Sequence, residues 1–195
     1  NSVFVGHSMG AAVATLAHAV HGLAAAKLVL IEPIFLPPEL YRVPMTVAQH
    51  PLAAKAVKRR NHWRDRQEAR RDFKSKPFFQ SWDEEVLALY IEHGLSGENG
   101  DGVRLTCSPL QEAALFMGVS HFDPWPVLPS VACPTLVVEG EESENRPWIN
   151  LQKVADLIPQ GRYAAVAGAG HLVPMEKPIE TADLLQAFVC GHPMD

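Results

Sequence analysis

A serine near the start of the chain has the surroundings of a nucleophile. Ser8 lies in the pentapeptide GHSMG, between Gly6 and Gly10. The apolar residues 3–5 before it predict a short buried strand, and the alanine-rich segment 11–20 after it predicts a helix. Elements that meet with almost no loop force a sharp turn, so we expect both glycines to remove side chains that would clash there. The hydroxyl would then lie at a helix N-terminus, which favours developing negative charge.

The elements that must position this serine alternate between strand and helix. Residues 27–31 (KLVLI) predict a second buried strand, which ends at Glu32, and further strands are predicted over 133–140 and 162–166. This order is typical of right-handed βαβ units in a parallel sheet. Between the second and third strands, prolines interrupt a long and mostly helical segment, which indicates an insertion.

Composition excludes several classes of protein. The chain has 195 residues, of which 47% are hydrophobic and 20% charged, and this predicts a packed core in one domain or one domain with an insertion. The net charge of −5 argues against a nucleic-acid partner. Three cysteines without a C-x-x-C pair argue against a disulfide scaffold or a thiolate metal site, so the cytoplasm is favoured although localisation stays open. We expect no transmembrane span, no metal and no organic cofactor.

Two motifs carry a family resemblance. GHSMG in its strand–helix context and GAGHLVPMEKP around His171 resemble the nucleophile elbow and the histidine loop of α/β-hydrolases. The resemblance implies that Ser8 is the nucleophile, that His171 is the base and that the Met9 backbone N–H contributes to the oxyanion hole. It assigns His7 no proton transfer. LVLIEPIF, KRRNHW and SPLQEAALF are similar to a bacterial and fungal subgroup that bears a cap.

The resemblance also implies an architecture. It predicts an α/β fold with a mostly parallel sheet flanked by helices and an inserted helical cap. Residues 1–35 and 127–195 would form the hydrolase core, and residues 36–126 the cap or lid. Several strands and helices precede the elbow in this family, so we expect this chain to lack N-terminal strands, together with the loop that supplies the second oxyanion donor.

The carboxylate that completes the catalytic triad is left open by the sequence. Relatives carry G-x-x-D after the strand that corresponds to residues 133–140, but this chain has Ser143 at the aspartate position. Glu32, at the end of the preceding strand, is the favoured acid because some α/β-hydrolases place their acid there. Glu142 is the main alternative, followed by Glu144, Glu141 or no acid at all.

The predicted reaction is acyl transfer to water, with a small-molecule acyl substrate that is apolar or anionic. Esters are the default, and the alternatives are a non-catalytic module that binds a small ligand and an inactive fragment. Residues 55–76 hold 10 of the 17 Lys and Arg residues. This basic stretch is favoured as a solvated helix with i,i+4 ion pairs, and steering of an anionic substrate is the sharper alternative. The sequence gives no indication of an oligomeric state.

Overall fold

The computed structural model of the chain shows two compact units, each formed from neighbouring elements. The first unit contains residues 1–41 and 122–195, and the second contains residues 42–121. The residues that the structure describes are 2–41, 43–97, 100–119 and 121–193.

The segments that flank the insertion belong to the first unit. The sequence places the unit boundaries near residues 35 and 127, whereas the units of the structure change near residues 41 and 122. Trp125 packs edge-on against Phe35, with 6.2 Å between ring centroids, and its indole N–H donates a hydrogen bond of 2.8 Å to the Leu36 carbonyl. These contacts hold both flanking segments against the core that surrounds the sheet.

Six strands occur in the described residues, four of them in one parallel sheet and two in a short antiparallel pair. Their residues are mostly β-branched or aliphatic, which suits strands. In chain order they are β1 (Ser2–His7), β2 (Ala25–Ile31), β3 (Leu95–Ser96), β4 (Arg104–Leu105), β5 (Thr135–Gly140) and β6 (Gly161–Val166). The expectation of a buried strand over residues 3–5 is wrong for burial, because β1 lies at the edge of the sheet in the described residues and Val5 is 50% exposed.

The helices begin at residues that suit a helix N-terminus. Asp65, Asp83 and Asn150 each cap a helix by accepting a backbone N–H, and proline lies at the start of several others. In chain order they are α1 (Met9–Ala19), α2 (Pro51–Ala56), α3 (Arg66–Lys74), α4 (Glu84–His93), α5 (Pro109–Val119), α6 (Leu151–Leu157), α7 (Val173–Glu176) and α8 (Pro178–Cys190).

The first unit is a parallel sheet with the strand order β1-β2-β5-β6. In β2, alternate residues point to opposite faces of the sheet. Leu28 and Leu30 pack with residues of α1 and α6, whereas Val29 and Ile31 pack with residues of α7 and α8. All four side chains are buried, and each contributes roughly 1.5–3 kcal/mol by leaving water. The predicted class, a parallel sheet flanked by helices, is confirmed.

The second unit has its own core and no share in the sheet. α2 packs on α5 through buried alanines, and β3 pairs with β4. Trp63 and Phe73 are fully buried, with 5.1 Å between their ring centroids. The Trp63 indole N–H donates to Asp72 at 3.0 Å. This cluster also includes Phe78, Phe79, Trp82 and Tyr90.

The basic stretch over residues 55–76 is paired with carboxylates of its own unit. At least six of its ten cations form ion pairs, and among the pairs seen in the described residues only Lys76 with Asp72 has the predicted i,i+4 spacing. Arg59, for example, reaches Glu112 on α5 at 2.8 Å, and Arg70 reaches Glu84 on α4 at 2.9 Å. Most of these pairs therefore join different elements instead of lying along one helix, and they neutralise much of the charge that steering would need.

The turn between β1 and α1 requires one of its two glycines. Ser8 has φ 57° and ψ −120°, and its N–H donates to the Ile31 carbonyl at 2.9 Å. A Cβ on Gly6 would lie 2.5 Å from the Gly10 carbonyl oxygen, whereas a Cβ on Gly10 would meet nothing within 4 Å. The expectation that both glycines prevent a clash is therefore wrong for Gly10, because its Cβ position faces open space on an exposed helix surface.

We predict that Gly6→Ala destabilises the chain by about 1–3 kcal/mol or more, because its Cβ would meet backbone atoms that cannot move aside. Gly10→Ala is the matched control and should stabilise by up to about 1 kcal/mol, since alanine is the better helix former. Urea unfolding of both variants measures the difference. Equal stabilities would contradict the close approach of strand and helix at this turn.

Candidate active site

Ser8 and His171 meet at the carboxyl ends of the parallel strands. Ser8 follows β1, and His171 lies on the loop between β6 and α7. His171 Nε2 is 3.0 Å from Ser8 Oγ, a hydrogen-bond distance. An unprotonated Nε2 at this position can accept the hydroxyl proton, which is the contact that general-base activation of a serine requires.

Two further hydrogen bonds hold the histidine loop. The Gly170 N–H donates to the Glu176 carboxylate at 2.6 Å, and the His7 ring donates from Nε2 to the His171 carbonyl at 2.8 Å. Burial lowers the pKa of His7, although its bond to the His171 carbonyl opposes that shift. The lowered pKa favours the neutral form of His7, whose contact here is with the His171 backbone.

Glu32 is a buried carboxylate that follows β2. Its side chain makes three hydrogen bonds although the residue is only 1% exposed. Oε1 accepts from the Gly140 N–H at 2.8 Å, while Oε2 accepts from the Ser143 hydroxyl at 2.8 Å and lies 2.9 Å from His171 Nδ1. Among the described residues, Ser8 and Glu32 (φ 46°) are the two that have positive φ without being glycine. Such backbone strain occurs mainly at functional sites.

The charge on Glu32 determines which nitrogen of His171 carries a proton. Burial alone would raise the pKa of Glu32, but hydrogen bonds from His171, the Gly140 N–H and Ser143 outweigh it and hold the pKa below its ordinary value of 4.5. The group is ionised at neutral pH and can only accept hydrogen bonds. His171 must then donate from Nδ1, which leaves Nε2 free to accept from Ser8.

The alternative acids lie elsewhere. The sequence left Glu142 as the main alternative to Glu32, with Glu141 and Glu144 behind it, and all three are exposed. No side chain of these three is hydrogen-bonded to His171 in the part of the chain that the structure describes. The Glu142 N–H donates to the Ala169 carbonyl at 2.8 Å, so its backbone is hydrogen-bonded to the histidine loop. The structure brings Ser8, His171 and Glu32 together and leaves Glu142 outside.

Two residues of the loop after β5 were not predicted to take part. Ser143, noted only as a departure from the usual aspartate, donates to the carboxylate of Glu32. Asn145 was not singled out, yet its side-chain amide is 2.9 Å from His171 Nδ1. The sequence did offer one signal for both residues, which is their position. They follow β5, and the family resemblance predicts the acid of the triad in the loop after that strand.

Met9 is the first residue of α1, so its backbone N–H has no acceptor within the helix. It follows Ser8 directly and lies at the positive end of the helix dipole. This is the position at which the sequence predicts a donor to a developing oxyanion.

The described residues offer neither a metal site nor a membrane-spanning helix. Three or more histidine, cysteine or acidic side chains do not group there in a way that would hold a metal ion. Within the same ranges, each helix is too short or too polar to cross a bilayer.

Comparison with known proteins identifies the family. A model of the alpha/beta hydrolase family matches residues 1–184, which is nearly the whole chain. The chain belongs to the alpha/beta hydrolase family. Within this family, the Abhydrolase domain-containing protein ACTT2-1 of Alternaria alternata is 28% identical over 225 residues, an alignment that covers 96% of this chain and 82% of the relative.

Solved structures share the alpha/beta hydrolase fold. E-2-(acetamidomethylene)succinate hydrolase superposes with a TM-score of 0.77 at 22% identity, over 96% of this chain and 66% of that protein. The peroxisomal alpha-beta-hydrolase Lpx1 of Saccharomyces cerevisiae superposes with a TM-score of 0.76 at 20% identity, over 99% of this chain and 56% of that protein. The chain thus spans just under two thirds of the first structure and over half of the second.

We predict that the stabilising effect of the Glu32 carboxylate depends on pH. Its pKa is lower in the folded chain than the ordinary 4.5, so its contribution is present above that value and is lost as the pH falls through the folded pKa. The difference in unfolding free energy between the parent chain and Glu32→Gln should therefore shrink from about pH 5 to about pH 3. Urea unfolding across this range measures it.

Glu142→Gln is the control, because it removes an exposed carboxylate from the neighbouring loop. Its difference from the parent chain should stay within about 0.5 kcal/mol over the same range. A Glu32→Gln difference that grows as the pH falls would show that the folded chain prefers the protonated acid, contrary to the hydrogen bonds described above.

Proposed function

We propose that this alpha/beta hydrolase is a serine hydrolase that cleaves a carboxylic ester or a related acyl bond through an acyl-enzyme. The observation that carries the proposal is the continuous series of contacts from Ser8 Oγ to His171 Nε2, and from His171 Nδ1 to Glu32 Oε2. Each contact is within 3.0 Å, and the ionised carboxylate determines which ring nitrogen accepts the serine proton. This is the order of groups that activates a serine hydroxyl.

In the acylation step, Ser8 Oγ attacks the substrate carbonyl carbon while His171 Nε2 takes the hydroxyl proton. The carbonyl electron pair moves onto oxygen, and the Met9 N–H donates to this oxyanion. Collapse of the tetrahedral intermediate expels the leaving group, which receives the proton from Nε2. Glu32 accepts from Nδ1 throughout and stabilises the imidazolium that forms in between.

Deacylation repeats these steps with water as the nucleophile. His171 removes a proton from the water, the resulting oxyanion is again stabilised at Met9, and Ser8 leaves with the proton from Nε2. The net reaction is hydrolysis, and Ser8 and His171 return to their starting states.

The proposed substrate is a small molecule with an acyl bond. Esters are the default substrate class. Thioesters, amides and lactones are cleaved by the same catalytic groups and belong to the same proposal. The similarity to E-2-(acetamidomethylene)succinate hydrolase fits acyl-bond cleavage at the level of the fold. The alternative of a non-catalytic binding module relied on the missing aspartate at Ser143, and it loses that support because Glu32 lies 2.9 Å from the ring.

We also propose that the insertion over residues 36–126 forms the helical cap or lid that the resemblance implies. The proposal rests on where it lies in the sequence, between β2 and β5, and on the independent core of the second unit. The ion pairs that cations of the basic stretch form with Glu112 and Glu84 support a structural role for those charges over steering of an anionic substrate.

We predict that a fluorophosphonate modifies Ser8 and no other residue. Attack of Ser8 Oγ on phosphorus with loss of fluoride requires the same activation as attack on an ester, and it requires no knowledge of the natural substrate. Intact-mass spectrometry of the purified chain should show one adduct. Ser8→Ala should show none.

Absence of the adduct from the parent chain would contradict the proposed function for the chain as it stands. Persistence of the adduct in Ser8→Ala would place the reactive group elsewhere. Circular dichroism of both proteins verifies that a lack of labelling does not come from unfolding.

The same probe ranks the candidate acids. Glu32→Gln should slow labelling by about 10²–10⁴-fold, because His171 loses the partner that fixes its tautomer. Glu142→Gln should label at the parental rate, since that exposed carboxylate lies outside the contacts of His171. The reverse ranking would move the acid to the loop after β5 and overturn the assignment of Glu32.

A further inference from the structure

His171 Nδ1 has two hydrogen-bond neighbours at the same distance. Oε2 of Glu32 and the side-chain amide nitrogen of Asn145 each lie 2.9 Å from it. A ring nitrogen carries either a proton or a lone pair. It cannot donate to a carboxylate and also accept from an amide N–H.

The ionised state of Glu32 resolves this conflict. Hydrogen bonds favour its charged form, so Nδ1 carries the proton and donates to the carboxylate. An amide N–H that faces this ring N–H would be repelled. A half-turn of the Asn145 amide exchanges its two ends and brings the side-chain oxygen to the same position as a second acceptor.

We propose that Asn145 is a positioning residue for His171, whose side-chain oxygen shares the Nδ1 proton with Glu32. The inference deepens the proposed function and rests on it for its catalytic meaning. Two acceptors from different loops restrict the rotation of the ring more than one acceptor does. Both also stabilise the imidazolium that exists while the serine proton resides on Nε2.

The loop that carries Asn145 is fixed on both sides. The Asn145 backbone N–H donates to the Ser143 hydroxyl at 3.3 Å, and the Asn145 carbonyl accepts from the Trp148 N–H at 2.9 Å. The neighbouring Arg146 donates to the Glu141 carbonyl at 2.6 Å and lies 3.5 Å from the buried carboxylate of Glu139 on β5. A side chain on such a loop can hold its partner in position without a large loss of conformational entropy on contact.

The titration of the His171 ring distinguishes the two orientations of the amide by sign. NMR of the uniformly ¹⁵N-labelled chain follows this titration without any turnover. Glu32, His7 and Ser8 also face the ring, and Glu176 binds its loop, so all four are kept unchanged. An accepting oxygen favours the protonated ring, so Asn145→Ala should lower the titration midpoint by about 0.5–1 pH unit.

Other outcomes of this titration overturn the proposal. A donating amide would favour the unprotonated ring, and Asn145→Ala would then raise the midpoint. An unchanged midpoint would leave Asn145 as a structural residue of its loop. Asn145→Leu gives a second reading should the alanine variant unfold, because it keeps the size of the side chain, removes both polar ends and should lower the midpoint as Asn145→Ala does.

Asn150→Ala is the matched control for these variants. Asn150 caps α6 at the end of the same loop, where its side chain accepts from the Lys153 N–H at 2.9 Å. It lies outside the contacts of His171 in the described structure. Its replacement should weaken the loop and helix without moving the His171 midpoint, and a shift as large as that of Asn145→Ala would overturn the proposal.

A rescue experiment tests whether position 145 can replace the acid. Fluorophosphonate labelling of Glu32→Gln with Asn145→Asp should be at least about tenfold faster than labelling of Glu32→Gln alone, because the new carboxylate accepts from Nδ1. Equal rates would overturn the shared-proton geometry. If Ser8 of the parent chain is not labelled at all, the proposed function fails, whereas the NMR titration still decides the role of Asn145.

Discussion

A buried carboxylate remains ionised only if hydrogen-bond donors replace the water that it has lost. Glu32 meets this condition with three donors that come from three places along the chain: the end of β5 at Gly140, the following loop at Ser143, and the histidine loop at His171. The carboxylate therefore joins β2, β5 and the loop after β6. Loss of any one of the three donors removes part of the stabilisation of the buried charge, so the ionised state of Glu32 depends on the arrangement of all three segments.

The sheet brings these groups together through strand order and register. β2 lies between β1 and β5, with His7 paired with Ile31 and Ile31 paired with Val138. Ser8 comes directly after His7, and Glu32 comes directly after Ile31. Because parallel strands end on the same edge, the turns that follow them are close in space. The Ser8 N–H donates to the Ile31 carbonyl and the Glu32 N–H to the Val138 carbonyl, which extends the strand hydrogen bonding into the site.

Local patterns predicted most of the sheet unit. Short apolar runs between helix-forming segments located β1, β2, β5 and β6 within a few residues, and the motifs around Ser8 and His171 located two functional groups. The acid stayed open because its identity depends on which strands are neighbours and which side chains are buried. Glu32 and Glu142 are both glutamates that follow a predicted strand, so the sequence does not separate them. In the structure, Glu32 is 1% exposed, whereas Glu142 lies at the surface. Asn145 depends on a contact between distant loops, which periodicity cannot indicate.

Glu32 also accounts for the serine at the position where the family resemblance predicts an aspartate. The Ser143 hydroxyl donates to Glu32 Oε2 at 2.8 Å, so an aspartate there would place a second carboxylate against a buried one. Two such carboxylates cannot both stay ionised, and the pKa of one would rise strongly. The neutral Ser143 hydroxyl avoids that repulsion. It also donates a hydrogen bond to a carboxylate oxygen of Glu32 that is shielded from water. The loop after β5 presents neutral polar groups at Ser143 and Asn145 because the end of β2 already supplies the negative charge that the imidazole needs.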